Sequence, residues 1–180
     1  MAGSAADATT EAVPARVLVL MGVSGSGKSS VAALLAGRLG WPFAEGDDLH
    51  PPANIAKMAA GHALDDADRA PWLERIAAWI AERRAAGEPG IVTCSALKRR
   101  YRDVLRGPGV VFVHLAGSRE RIGDRLVART GHFMPAALLD SQFADLEPLG
   151  PDEDAITVEV TGTAAQTADE IIARLRRADA

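Results

Sequence analysis

Apolar runs and helical stripes alternate along this chain. Val17-Leu18-Val19-Leu20-Met21 is continuous and aliphatic, as in a strand covered on both faces, and predicts a strand over 16–21. Glycines and serines break it. Apolar positions then recur at Val31, Leu34, Leu35 and Leu39 with helical period, predicting a helix over 28–39 that Gly40 ends. Trp41-Pro42-Phe43-Ala44 reads as a brief second strand. Pro51-Pro52 opens a helix with Ile55, Met58 and Ala59 on its apolar face. Pro71 is placed in the first turn of a longer helix that turns Trp72, Ile76, Trp79 and Ile80 inward.

Two more apolar runs, over 91–95 and 110–115, read as buried strands, and a basic helix separates them. Ser118 can cap the next helix, with Ile122, Leu126 and Val127 inward. Gly131-His132-Phe133-Met134-Pro135 interrupts it, and a short helix carries Leu138, Leu139 and Phe143. A last strand over 155–160 and a last helix from Thr163 to about Arg177 follow, with Thr163 and Gln166, or Thr167 and Glu170, as its capping box. Strands alternating with helices imply an α/β fold in three layers, a five-stranded parallel sheet with helices on both faces. Ligands of such sheets bind at the carboxyl ends of the strands. The polar clusters fall there: 22–29, 45–50, 94–102 and the segment after His114.

The first of these clusters carries the most chemistry. Gly22-Val23-Ser24-Gly25-Ser26-Gly27-Lys28-Ser29 fits the phosphate-binding loop pattern, with a strand before it and a helix after it. Glycines let successive N–H groups point at one anion, and the helix start adds its positive end. Gly22, Ser24, Gly25, Ser26, Gly27, Lys28, Ser29 and Ser30 are therefore the expected nucleotide-phosphate residues. Lys28 can reach the β- and γ-phosphates, and Ser29 can place a hydroxyl on Mg2+. The carboxylates over 45–48 are either metal and base groups or a helix cap. Arg125 and Arg129, four apart ahead of a glycine-containing break, have the arrangement of a mobile lid that brings arginines over phosphates, or of a solvated helix face. The fold expected is thus that of a P-loop NTPase with a helical lid at about 126–142. The strand over 91–95 ends in Cys94-Ser95 without the aspartate of many phosphate-loop ATPases, which points away from motors and GTPases toward small-metabolite kinases.

Composition narrows the partners. The 180 residues fit one domain, expected over 14–180 behind a disordered tail at 1–13. A net charge of −4 argues against nucleic acid or a membrane surface as the main partner. No apolar run approaches the length that spans a bilayer, and no secretory signal is visible. Cys94 is the only cysteine, so no internal disulfide forms and a reducing cytoplasm is expected. Only Lys28, Lys57 and Lys98 are lysines against 17 arginines, which nominates the latter two lysines for scrutiny.

The chain resembles the gluconokinases of the phosphate-loop type over nearly all of 16–160. The resemblance rests on the loop above together with Glu45-Gly46-Asp47-Asp48-Leu49-His50-Pro51, Asn54-Ile55-Ala56-Lys57-Met58 and Asp66-Ala67-Asp68-Arg69-Ala70-Pro71-Trp72-Leu73. It continues in Cys94-Ser95-Ala96-Leu97-Lys98-Arg99-Arg100-Tyr101-Arg102-Asp103 and Gly131-His132-Phe133-Met134. It implies transfer of the ATP γ-phosphate to the 6-hydroxyl of D-gluconate, a nucleoside-monophosphate-kinase-like fold with a lid, and a homodimer. Related sequences tend to have Asp where this chain has Glu45, which leaves Asp47 as the better base. Lys28, Asp47 and Arg129 are then the expected catalytic residues.

Gluconate is an anion with many hydroxyls, so its site should pair a cation with several hydrogen-bonding side chains. Asp47, His50, Lys57, Arg69, Lys98, Arg102, Arg129 and His132 are available for it. His50 and His132 also suit local capping or packing, His114 reads as a core histidine, and Asp68 and Arg69 suit a helix cap. A kinase for shikimate or a nucleotide, and a nucleotide-binding module without an acceptor, are the alternatives that turnover against a panel of acceptors distinguishes.

Overall fold

The computed structural model describes residues 13–128 and 136–179. β1 (Val17–Met21) is buried at every position because neighbours cover it on all sides. It pairs in parallel with β3 (Gly90–Thr93) on one edge and β4 (Val110–Ala116) on the other. β2 (Phe43–Ala44) and β5 (Ala155–Glu159) close the ends, so the order is β2-β3-β1-β4-β5, all parallel. Alternation along β1 divides the core. Val17, Val19 and Met21 pack with α3 (Asp66–Ala85) and α4 (Arg99–Leu105), while Leu18 and Leu20 pack with α1 (Lys28–Leu39) and α7 (Ala164–Arg177). The expected three-layer sheet with helices on both faces is the architecture observed.

The remaining helices are α2 (Pro52–Ala59), α5 (Arg119–Ala128) and α6 (Ala136–Asp145). α5 and α6 meet over a third apolar cluster of Val23, Leu97, Ile122, Leu126 and Leu139. The lid expected at about 126–142 includes 129–135, which lie outside the described residues, as does nearly all of the expected tail.

Three local expectations are corrected. α3 begins at Asp66, so Pro71 is its sixth residue rather than part of its first turn; Asp65 caps the helix and forms a reciprocal capping box with Asp68. Ile55 and Met58 are exposed, because Asn54 is the buried residue of α2 and ties that helix to α3 by donating to the Asp68 carbonyl at 2.8 Å. Val127 is 80% exposed rather than inward, since Ile122 and Leu126 already fill the face α5 turns to the core. The Thr163–Gln166 capping box on α7 is present.

Two buried contacts set the strand ends that matter. Gly46 opens a short 3-10 helix, Gly46–Leu49, directly after β2. A methyl group on Gly46 would lie 1.8 Å from the Thr93 carbonyl oxygen. Gly46 N–H donates to Thr93 Oγ1 at 3.0 Å, and the Trp72 indole donates to Gly46 O at 2.7 Å. The second contact is Arg102, whose side chain is fully buried against that of Glu153, 2.6 Å from Nε to Oε1. Its remaining nitrogens donate to the carbonyls of Ala96, Leu97 and Pro148. Ala96 has φ 46, the left-handed region that a residue with a Cβ rarely adopts. Arg102 therefore holds the strained turn after β3 to the loop before β5.

Gly46→Ala should cost about 3 kcal/mol of stability, because the obstructing atom is backbone and cannot swing away; urea unfolding midpoints measure it. Arg102→Met leaves Glu153 buried and unpaired, at a cost of about 3–5 kcal/mol near neutral pH. Burial alone would raise the Glu153 pKa, but Arg102 and the Gly150 N–H hold it below its ordinary value. Its contribution in the unaltered chain is therefore present above the ordinary carboxylate pKa and lost as pH falls through the depressed one. In Arg102→Met the unpaired acid has a raised pKa, so protonation relieves the defect. The gap in unfolding free energy between the two proteins should shrink from pH 7 to pH 5.

Candidate active site

The loop after β1 is bent by its glycines. Gly25 and Gly27 have φ 81 and 94, and a Cβ on Gly25 would meet Leu126 at 2.7 Å. The helix α1 starts on Gly27 with no side-chain cap, which leaves its first N–H groups for an anion. Lys28 Nζ donates to the Gly22 and Val23 carbonyls at 2.9 and 3.0 Å, so its ammonium folds back across the loop. Gly22 N–H donates to the Ser95 carbonyl, joining the loop to the end of β3. The Ser26 hydroxyl is buried without a hydrogen-bond partner among the described residues, while Ser30 is exposed on the first turn of α1. A Cβ on Gly27 would lie 3.8 Å from an Arg125 nitrogen, and that guanidinium is steadied by the carbonyls of Val160 and Gly162. Ser24, on the same loop, is held by Gln142 of α6: its N–H donates to Gln142 Oε1 at 2.7 Å and its Oγ accepts from Nε2 at 3.0 Å.

Oxygen donors converge at the start of α1. Ser29 Oγ donates to Glu45 Oε1 at 2.9 Å, and Thr93 Oγ1 donates to the same oxygen at 2.5 Å. Hydroxyl and carboxylate oxygens suit Mg2+, a hard cation that keeps waters and bridges phosphates rather than filling a protein cage. No group of three or more His, Cys, Asp or Glu residues able to hold a metal exists among the described residues.

The second strand end and α3 supply the other wall. Asp47 is exposed in the 3-10 helix. His50 is buried and stacks on Trp72, ring centroids 4.3 Å apart at 14°. Burial pushes its pKa below the ordinary value, Asp47 opposes this, and Arg69 adds to it, so His50 is a neutral hydrogen-bonding group at pH 7. Its Nδ1 lies 3.3 Å from Asn54 Nδ2. Lys57 is engaged by Asp68 at 2.5 Å and lies 3.9 Å from Asp65, which binds α2 to the start of α3. Lys98 sits 3.7 Å from Asp66 and 3.8 Å from Asp145. Arg69 lies over the Tyr101 ring and donates to its hydroxyl at 3.1 Å. That hydroxyl in turn donates to Asp66, whose carboxyl Tyr101 and Arg100 hold down to about 2.

Arg102 is the expectation the structure overturns. It is fully buried and committed to Glu153 and three carbonyls, so it positions the turn after β3. Arg129 and His132 lie outside the described residues. Five residues absent from the sequence expectations shape this crevice: Thr93, Trp72 as a polar anchor, Tyr101, Gln142 and Glu153. Thr93 carried a signal, being a hydroxyl at the end of an otherwise apolar strand. Gln142 carried none, since its partner is 118 positions away.

Cys94 lies among these groups without taking part. Burial pushes its thiol up to about 12, the Ala96 N–H opposes that, and the charges of Lys28, Asp47 and Arg69 all act on it. The thiol stays protonated at any physiological pH and is no nucleophile.

A family model described as an AAA domain matches residues 17–149. The gluconokinase of Gluconobacter oxydans is 57% identical over 145 residues, covering 79% of this chain and 82% of that protein. The thermosensitive gluconokinase of Escherichia coli is 44% identical over 155 residues, 84% of this chain and 83% of that protein. A crystal structure of a gluconokinase from Sinorhizobium meliloti superimposes with a TM-score of 0.83 at 47% identity, over 92% of this chain and 94% of that one. A shikimate kinase from Aquifex aeolicus shares the fold at a TM-score of 0.62 and 17% identity, over 91% of this chain and 98% of that one. No described helix is long and apolar enough to cross a membrane. With a phosphate loop hydrogen-bonded to the carboxylate at the end of the second strand, and with these relatives along most of its length, the chain belongs to the gluconokinase family.

Proposed function

We propose that this chain phosphorylates D-gluconate at the 6-hydroxyl, using ATP and giving 6-phospho-D-gluconate and ADP. The observation that carries the reading is the junction at the carboxyl edge of the sheet: Ser29 of the phosphate loop donates to Glu45 at 2.9 Å, and Thr93 donates to the same oxygen while accepting from Gly46 N–H, so the segment that carries Asp47 lies directly beside the loop. Phosphoryl transfer needs such a site: positive groups on the phosphates, and a carboxylate beside the attacking hydroxyl.

The roles follow from position. Backbone N–H groups of residues 22–29 and the Lys28 ammonium bind the β- and γ-phosphates, with Arg125 at the flank by Gly27. Asp47 takes the proton of the 6-hydroxyl as its oxygen bonds to the γ-phosphorus. The bond from that phosphorus to the bridging oxygen breaks, and ADP leaves with the electron pair. The Ser29 hydroxyl, which Glu45 orients, would hold Mg2+, and the ion would supply charge neutralisation to the phosphates.

Among the cations, Arg69 suits the gluconate carboxylate best. Its described hydrogen bond goes to a neutral phenol, whereas Lys57 and Lys98 stand against carboxylates. Its planar fork also matches a carboxylate. Neutral His50 then serves the sugar hydroxyls, with Lys57 and Lys98 bordering the same crevice. The reading also keeps Arg129 as a catalytic residue and Arg129 and His132 as gluconate residues, as the family resemblance implies. The reading also includes a homodimer and a cytoplasmic location, in which Cys94 remains a free thiol.

ADP release should be stimulated by gluconate and not by other sugar acids, free sugars, shikimate or nucleoside monophosphates; stimulation by one of those alone would replace the substrate assigned here. Asp47→Asn should lower kcat by about 10²–10⁴-fold, the usual worth of a general base, and leave ATP affinity unchanged. Lys28→Ala should weaken ATP binding and turnover together. Arg69→Met should raise KM for gluconate about tenfold, the scale of one charged hydrogen bond, with little change in KM for ATP.

A further inference from the structure

Asp66 and Arg69 stand three residues apart at the start of α3, a spacing at which opposite charges on a helix pair directly. Here, among the described residues, no ion pair joins them. Each bonds instead to the same third group, the hydroxyl of Tyr101 on α4. An arginine can only donate, so the phenol oxygen accepts from Arg69 Nη1, at 3.1 Å, and gives its one proton to Asp66. The direction of this chain, from Arg69 through Tyr101 to Asp66, is therefore fixed by chemistry.

Tyr101 is a buried part of the fold rather than a surface side chain that reaches across. It is 6% exposed and belongs to the core cluster that includes Trp72, Leu73 and Ile76 of α3. The Arg69 guanidinium also lies over its ring, with Cζ 5.6 Å from the centroid, within cation–π distance. Arg69 is thus held at two points, by ring and by hydroxyl, and neither partner carries a full negative charge. Among the described residues its side chain makes no other hydrogen bond, so its remaining N–H groups are open to a ligand. Asp66 meanwhile answers Lys98, at 3.7 Å, and Arg100. The result is a cation whose direction is set and whose charge is not cancelled by contact. A direct Asp66–Arg69 pair would occupy the planar fork that recognises a carboxylate, and an anionic acceptor would have to displace it.

We propose that Tyr101 is a positioning residue for the acceptor: its hydroxyl stands between Arg69 and Asp66, aims the guanidinium, and keeps it from closing on the aspartate, which leaves the fork to the acceptor's carboxylate. The proposal rests on the reading that Arg69 meets the carboxylate of gluconate, and it names the group that makes Arg69 fit for that role.

The test is steady-state kinetics of the full chain with gluconate and Mg2+-ATP. Tyr101→Phe keeps the ring, its packing and the cation–π contact, and removes only the wedge. KM for gluconate should rise about three- to tenfold, the scale of one net hydrogen bond, while kcat and KM for ATP move less than about twofold. In an Arg69→Met background the same change should raise KM for gluconate less than about twofold, because the group it aims is gone. Adding Asp66→Asn to Tyr101→Phe removes the competing charge and should recover most of the rise. A merely structural loss at α4 moves both KM values and is not recovered by a change on α3. No rise for gluconate in Tyr101→Phe, an equal rise for ATP, the same rise in the absence of Arg69, or no recovery with Asp66→Asn overturns the proposal alone. If Arg69→Met itself leaves KM for gluconate unchanged, the reading beneath it falls, and the proposal with it.

Discussion

The geometry of this site depends on how closely Gly46 approaches Thr93. The two backbones meet with no room for a side chain between them. That approach is what brings the end of β2 against the end of β3, and β3 in turn pairs with β1. β2 has only two residues, too few to place its own C-terminal end by ladder hydrogen bonds alone. Thr93 supplies the missing constraint from both sides, accepting from Gly46 N–H and donating to Glu45. Trp72 closes the arrangement from α3 by holding the Gly46 carbonyl and stacking on His50. Asp47 is thereby carried on a segment fixed at both flanks while its own side chain stays open to solvent.

Charge around the crevice follows a division of labour. A site for a polyanion and an anionic acceptor must concentrate cations, and unpaired cations repel. Asp66, Asp68 and Asp65 at the start of α3 sit among Lys57, Lys98 and Arg100. Tyr101 collects the faces of Arg69, Lys98 and Arg100 around one ring. The acidic residues at that helix start serve as caps and as counter-charges together, which explains why the segment is so rich in them. Arg102 is the extreme case. Dry and paired with Glu153, it fixes the shape of the turn that carries Lys98.

The strands and the phosphate loop were legible because their signals are local. A continuous aliphatic run, a glycine break and a helical stripe are each written within a dozen residues. The start of α3 was misread for a physical reason: Pro71 is a strong local cue, but the Asp65–Asp68 capping box supplies the hydrogen bonds that begin the helix earlier. Arg102 was misread because an arginine near a strand end has the same local appearance whether it faces a ligand or a buried glutamate 51 positions on. Ile55 and Met58 misled through their spacing, since α2 is attached by the polar Asn54 and Lys57 rather than by its apolar side. Gln142, Tyr101 and Glu153 act through pairings that only the closed sheet creates.

The missing aspartate at the end of β3 also finds its physical account here. Cys94 occupies the strand end, buried and held neutral, so β3 offers no carboxylate to a metal on the phosphates. The oxygen of Glu45 reaches the Ser29 hydroxyl instead, across from the neighbouring strand. The backbone of residue 45 follows β2, on the far side of β3 from β1, and its side chain spans that distance to Ser29 at 2.9 Å. Thr93 then orients the same oxygen with a 2.5 Å hydrogen bond, so the carboxylate that serves Ser29 is aimed by β3 even though it does not come from it. The strand order, with β3 between β1 and β2, is what makes this substitution of one strand's acid for another's geometrically available.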